Sequence, residues 1–112
     1  MMDFSPGGND FEIDILDLTD AELAKFQIVD VREPGEDKLG LLGSLIRHPI
    51  QSMPMSKFSL LQDRLDKAKK YLFVCARGGN SSKLVADLRA SGFSQTFSLK
   101  DGVEAVRRKY IA

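Results

Sequence analysis

The sequence has 112 residues, 43% of them hydrophobic and 29% charged, the make-up of one small folded domain rather than a disordered chain or two independent cores. Its 16 basic and 16 acidic side chains balance, which removes the clustered positive surplus that a general nucleic-acid binder needs. No apolar run approaches the roughly 18 residues of a membrane span, and the opening MMDFSPGGND has neither the basic region nor the apolar stretch of a secretory leader.

Cys75 is the single cysteine. An internal disulfide is therefore excluded, and a reducing cytoplasm is the expected setting. A free thiol is often only a small buried hydrophobe, so its neighbours must decide whether it is reactive.

Residues 1–10, rich in Gly, Pro, Asn and Asp, are expected to be a flexible tail, and residues 11–112 one domain. Phe11-Glu12-Ile13-Asp14-Ile15 alternates apolar and charged residues, as in a half-exposed edge strand. Thr19 and Glu22 form a capping box that starts a short helix running to about Lys25. Gln27-Ile28-Val29-Asp30-Val31 is rich in β-branched residues and predicts an interior strand. Pro34-Gly35 then forces a loop, and Gly40 and Gly43 keep the next segment irregular.

Leu45-Ile46-Arg47-His48 predicts a weak strand ended by Pro49. Ser56 can cap a helix carrying Phe58, Leu61 and Leu65 on one face. Tyr71-Leu72-Phe73-Val74 is a continuous apolar run, the strongest strand signal in the chain, and it ends at Cys75. After the Arg77-Gly78-Gly79 turn, Asn80 or Ser81 can cap a helix built on Leu84, Val85 and Leu88 and stopped by Gly92. Gln95 to Leu99 predicts a last strand. Gly102 precedes a closing helix on Val103, Val106 and Tyr110, whose Arg107-Arg108-Lys109 run reads as a solvated face.

Strands alternating with helices predict an α/β domain, a mostly parallel sheet of about five strands with helices on both faces. Ligands bind such sheets at the carboxyl ends of the strands. Cys75 stands at one.

The segment Cys75-Ala76-Arg77-Gly78-Gly79-Asn80-Ser81 carries the chemistry. A helix start leaves amide N–H groups unpaired and aimed outward with partial positive charge. Adjacent glycines allow the backbone to curl so that these amides converge on one point. A sulfur held there is favoured as an anion, and anionic sulfur is the nucleophile, whereas an ordinary thiol is only about 3% ionised at neutral pH. Neither a Walker A nor a dinucleotide glycine motif fits the segment. His48, the one histidine, reads as structural or solvent-facing, and Lys83 as part of an exposed helix face.

Three ordered segments together resemble the rhodanese-like domain family: Asp30-Val31-Arg32-Glu33-Pro34-Gly35-Glu36, the cysteine loop, and Leu99-Lys100-Asp101-Gly102-Val103-Glu104-Ala105. In the last of these Asp101 replaces a family glycine. The resemblance spans roughly residues 11 to 110 and implies sulfurtransferase chemistry, in which Cys75 takes up a sulfane sulfur as a persulfide and hands it to a nucleophile. It implies that Ala76, Arg77, Gly78, Gly79, Asn80 and Ser81 form the anion-binding loop, with no cofactor and no metal. Asp30, Arg32 and Glu36 are expected to be structural, tying down the loop after the second strand.

Many single-domain relatives carry arginine where this chain has Asn80, an arginine expected to grip anionic donors such as thiosulfate. A protein persulfide, as formed on a cysteine desulfurase, is therefore the expected donor. The acceptor is a protein, a small thiol or cyanide, with no nucleic acid or membrane as partner. The loop also resembles that of the C-terminal rhodanese domain of molybdopterin-synthase and ubiquitin-like-protein activating enzymes. A family segment Gly-His-Ile appears here as Gly40-Leu41-Leu42, without its histidine. A phosphatase of related architecture would need an arginine at Ser81 to clamp phosphate. The alternative to catalysis is a non-catalytic binding or regulatory module on the same fold.

Overall fold

The computed structural model describes residues 11–35 and 42–111. Glu36, Gly40 and Leu41, and the expected tail at residues 1–10, lie outside that range. The described residues form a five-stranded, wholly parallel sheet of order β1-β5-β4-β2-β3. Its strands are β1 (Glu12–Ile13), β2 (Gln27–Asp30), β3 (Ile50–Ser52), β4 (Tyr71–Val74) and β5 (Thr96–Leu99).

The helices are α1 (Asp20–Leu23), α2 (Leu42–Leu45), α3 (Phe58–Leu61), α4 (Gly79–Ala90) and α5 (Gly102–Tyr110). Side chains alternate between the sheet faces. Ile28, Leu72, Val74 and Leu99 pack with α1, α2 and α5 on one face. Val29, Phe73 and Cys75 pack with α3 and α4 on the other. Connections running toward β3 carry their helices on the first face, and those running back through β4 to β5 carry them on the second, as crossovers of one hand require. The reversal falls between β2 and β4. The crevice that ligands use in such sheets opens there, beyond the strand ends.

Thr19 caps α1 as the sequence predicts: its hydroxyl accepts from the Glu22 amide at 3.1 Å while Glu22 accepts from the Thr19 amide at 2.9 Å. Gly92, at φ +97, stops α4. Three other expectations are corrected. Leu45–His48 is not a strand: Leu42–Leu45 is helical, with Gly43 inside the helix, and the strand begins after Pro49 at Ile50. Leu42 and Ile46 both bury against the sheet, and their four-residue spacing suits a helix. Ser56 caps no helix, because its amide and hydroxyl both donate to the Glu33 carboxylate, at 2.7 and 2.6 Å. Nor do Asn80 and Ser81 cap α4: its N-cap is Gly78, and both lie within the first turn.

Among the described residues no helix is long and apolar enough to cross a membrane.

Candidate active site around Cys75

β4 delivers Cys75 to the mouth of the crevice, and the chain then turns into α4. The turn needs glycine at Gly78, which sits at φ +95 with Asp101 N only 2.8 Å from where a Cβ would be. Gly79 meets no such obstacle. The tight curl expected of two glycines therefore rests on the first alone.

The sulfur occupies the place a capping oxygen normally takes. Cys75 Sγ accepts the Gly78 amide at 3.0 Å and the Ser81 amide at 3.4 Å, and Ser81 is the third residue of α4, whose N–H a cap would satisfy. The Ser81 hydroxyl lies 3.4 Å from the sulfur on its buried side. The helix-start amides of the turn thus aim at the thiol, an arrangement that stabilises negative charge on sulfur.

Cys75 is 4% exposed, yet it is reachable. It borders a cleft of about 290 Å³ with Val31, Arg32, Ala76, Arg77, Gly79 and Asn80. Residues from the ends of β2 and β4 thus share one opening, at the reversal of the sheet. Asn80 stands on its wall. Gly78 contributes its amide from behind, and Ser81 is fully buried beneath the sulfur.

Arg77 is drawn outward, its Nε 3.2 Å from Glu104 Oε2 and its side chain largely in solvent. Glu104 also meets Arg108, which reaches Asp101 in turn. Arg32 is buried and forks onto Asp30, with Nε and Nη2 donating to the carboxylate at 3.0 and 2.9 Å. Asp30 Oδ1 further accepts the Arg32 amide at 3.1 Å. These two residues fix the turn out of β2, and Arg32 forms part of the cleft wall. His48 borders a separate cavity with Asp20, Arg47 and Tyr110, and Lys83 a groove on the outer side of the loop. Among the described residues no cluster of His, Cys, Asp and Glu could hold a metal.

Two residues complete the site: Gly102, part of the closing segment the sequence brings forward, and Ser98, which the sequence does not single out. Gly102, at φ +55, lies so close under the loop that a Cβ would overlap the Cys75 carbonyl oxygen. Ser98, pointing from β5 to the α4 face, puts its hydroxyl 2.7 Å from that of Ser81. A serine between Phe97 and Leu99, at a position alternating with core residues, is the signal that could have flagged it.

The rhodanese-like domain model matches residues 14–109. The chain belongs to the rhodanese-like domain family. Its fold is shared by a rhodanese-related protein of Thermoplasma volcanium, at TM-score 0.73 and 24% identity over 88% of this chain and 91% of that one. A rhodanese-like domain protein of Staphylococcus aureus is 26% identical, with TM-score 0.65 over 85% of this chain and 89% of the other. An NAD-dependent persulfide reductase from A. fulgidus contains a similar unit, at TM-score 0.63 and 23% identity, covering 84% of this chain but 15% of that protein. No curated protein matches the chain by sequence.

Proposed function

We propose that this rhodanese-like domain is a sulfurtransferase that carries sulfane sulfur on Cys75. The carrying observation is that the sulfur accepts the amides of Gly78 and Ser81 while bordering an open cleft. Cys75 thiolate attacks the outer sulfur of a donor persulfide, the donor's S–S bond breaks, and the donor leaves as a thiolate that takes up a proton. A Cys75 persulfide results. An acceptor nucleophile then attacks the outer sulfur, and Cys75 departs as thiolate. One sulfane sulfur changes hands with no net oxidation, so no redox cofactor or metal is needed. Amides at a helix start favour an anion, which supports this reading for a thiolate and for a persulfide alike.

A protein persulfide is the favoured donor, and a cysteine desulfurase its natural source. Asn80 offers the cleft no charge, and the Arg77 guanidinium is engaged by Glu104, so neither of these two residues gives a free anion such as thiosulfate a bidentate clamp. The reading predicts faster sulfur delivery to a thiol acceptor from desulfurase-generated persulfide than from thiosulfate; equal or inverted rates would overturn the donor assignment. A reducing cytoplasm suits this chemistry.

The second reading, a binding module that only keeps the fold, is separated by alkylation. Iodoacetamide should modify Cys75 near pH 7 well above the rate of a free thiol peptide, whereas a thiol with no role would react no faster than the peptide.

A further inference from the structure

Behind the sulfur lies a pair of buried hydroxyls that the transfer steps above do not use. Ser81 Oγ is 3.4 Å from Cys75 Sγ, 3.4 Å from the Gly78 carbonyl oxygen and 2.7 Å from Ser98 Oγ. Both serines are fully buried. Among the described residues Ser98 Oγ has the Ser81 hydroxyl as its one hydrogen-bond partner.

The direction of these bonds depends on the charge of the sulfur. A thiol whose hydrogen points at Ser81 Oγ donates to it. Ser81 can then donate to Ser98, which leaves the Ser98 hydrogen without an acceptor in a buried site. Otherwise Ser81 Oγ must take two donors and send its own hydrogen to the Gly78 carbonyl over the long 3.4 Å contact. With sulfur anionic, the chain runs one way: Ser98 donates to Ser81, and Ser81 donates to sulfur. Every hydroxyl hydrogen is used, and the shortest bond carries the polarity. Unpaired buried donors are costly and bonds to charged acceptors are strong, so the pair favours the reactive form.

We propose that Ser98 is a positioning residue for the sulfur chemistry, acting on Cys75 through the Ser81 hydroxyl to hold the sulfur in its anionic, nucleophilic state. This rests on the reading of Cys75 as sulfur carrier. Ser98 touches neither donor nor acceptor.

The test is the pH profile of iodoacetamide alkylation in the full-length protein. Ser98→Ala should slow the reaction at pH 7 by about threefold to tenfold, the effect of one hydrogen bond. It should move the rising limb to higher pH and leave the plateau rate unchanged. Ser98→Thr, which keeps the hydroxyl, should restore the rate. In a Ser81→Ala background, Ser98→Ala should change nothing further. Superimposed profiles for wild type and Ser98→Ala, or an equal loss in both backgrounds, would overturn the proposal.

Should Ser98→Ala fail to fold, the wild type still decides: the Ser81 and Ser98 ¹³Cβ signals should titrate together with the alkylation profile, and static signals would refute the coupling. Alkylation needs no sulfur donor. A wild type that takes up no sulfur yet shows the Ser98 effect would sink the transfer reaction and leave the hydroxyl pair standing, and the converse result would do the reverse.

Discussion

Val103 donates its amide hydrogen to the carbonyl oxygen of Cys75 at 2.9 Å, and Glu104 does the same to Ala76 at 3.1 Å. The first turn of α5 thus holds the backbone on which the sulfur is mounted. This is why the closing segment of the sequence belongs to the site although it lies far from Cys75 in the chain. The approach leaves no room at Gly102, where a Cβ would come within 2.8 Å of the Ala76 carbonyl carbon.

Gly102→Ala should therefore be strongly destabilising, by about 3 kcal/mol or more, since steric overlap and an unfavourable positive φ add together. Urea denaturation measures this. A loss under about 0.5 kcal/mol, typical of an uncritical surface position, would show that α5 does not press on the loop as described.

The pairing of Arg32 with Asp30 makes a second prediction. Arg32 is 5% and Asp30 17% exposed at the side chain, so truncating the acid takes a bidentate partner away from a nearly buried cation. Asp30→Ala should cost about 3 kcal/mol, at the low end for breaking a buried pair. Arg32→Lys should also destabilise, because a lysine cannot reproduce the fork. Both are read from denaturation midpoints, and a wild-type midpoint in Asp30→Ala would contradict the structural role.

Acid dependence follows from Glu33. The hydroxyl of Ser56 and then its amide donate to the carboxylate and hold its pKa below the usual value. A carboxylate depressed in the folded state binds fewer protons than in the unfolded chain. Its contribution is complete above the unfolded value of about 4.3 and is lost as pH falls through the folded one. The stability difference between wild type and Ser56→Ala should accordingly be largest at neutral pH and shrink by pH 3. A difference that grows on acidification would reverse the assignment.

How far the sequence discloses all this depends on whether a feature is local. The apolar run of β4 and the glycine turn after Cys75 are local, and both appear where the sequence puts them. The capping box at Thr19 is equally self-contained. Ser56 is not: its hydroxyl is claimed by Glu33, a partner remote in sequence, so a cap reading of Ser56 alone goes astray. Leu45–His48 misleads for a related reason, since the burial of Leu42 and Ile46 against the sheet outweighs a short β-like pattern. The site divides in the same way. Cys75 and its loop are legible from one segment, whereas Ser98 and Gly102 join it only once β5 and α5 have packed beneath.

The proposed donor preference is open to test at one position. Asn80 borders the cleft beside Cys75, where an arginine would present a planar pair of donors to an anion. Asn80→Arg should raise thiosulfate-dependent sulfur transfer by about tenfold, the equivalent of one charge-assisted hydrogen bond. An unchanged rate would mean that the side chain at this position does not turn inward.

The most direct measurement is intact mass after incubation with a cysteine desulfurase and cysteine. A sulfur carrier at Cys75 gains the mass of one sulfur atom, loses it on reduction, and gains nothing as Cys75→Ser. An unmodified wild type, or an added sulfur that persists in Cys75→Ser, would contradict the account.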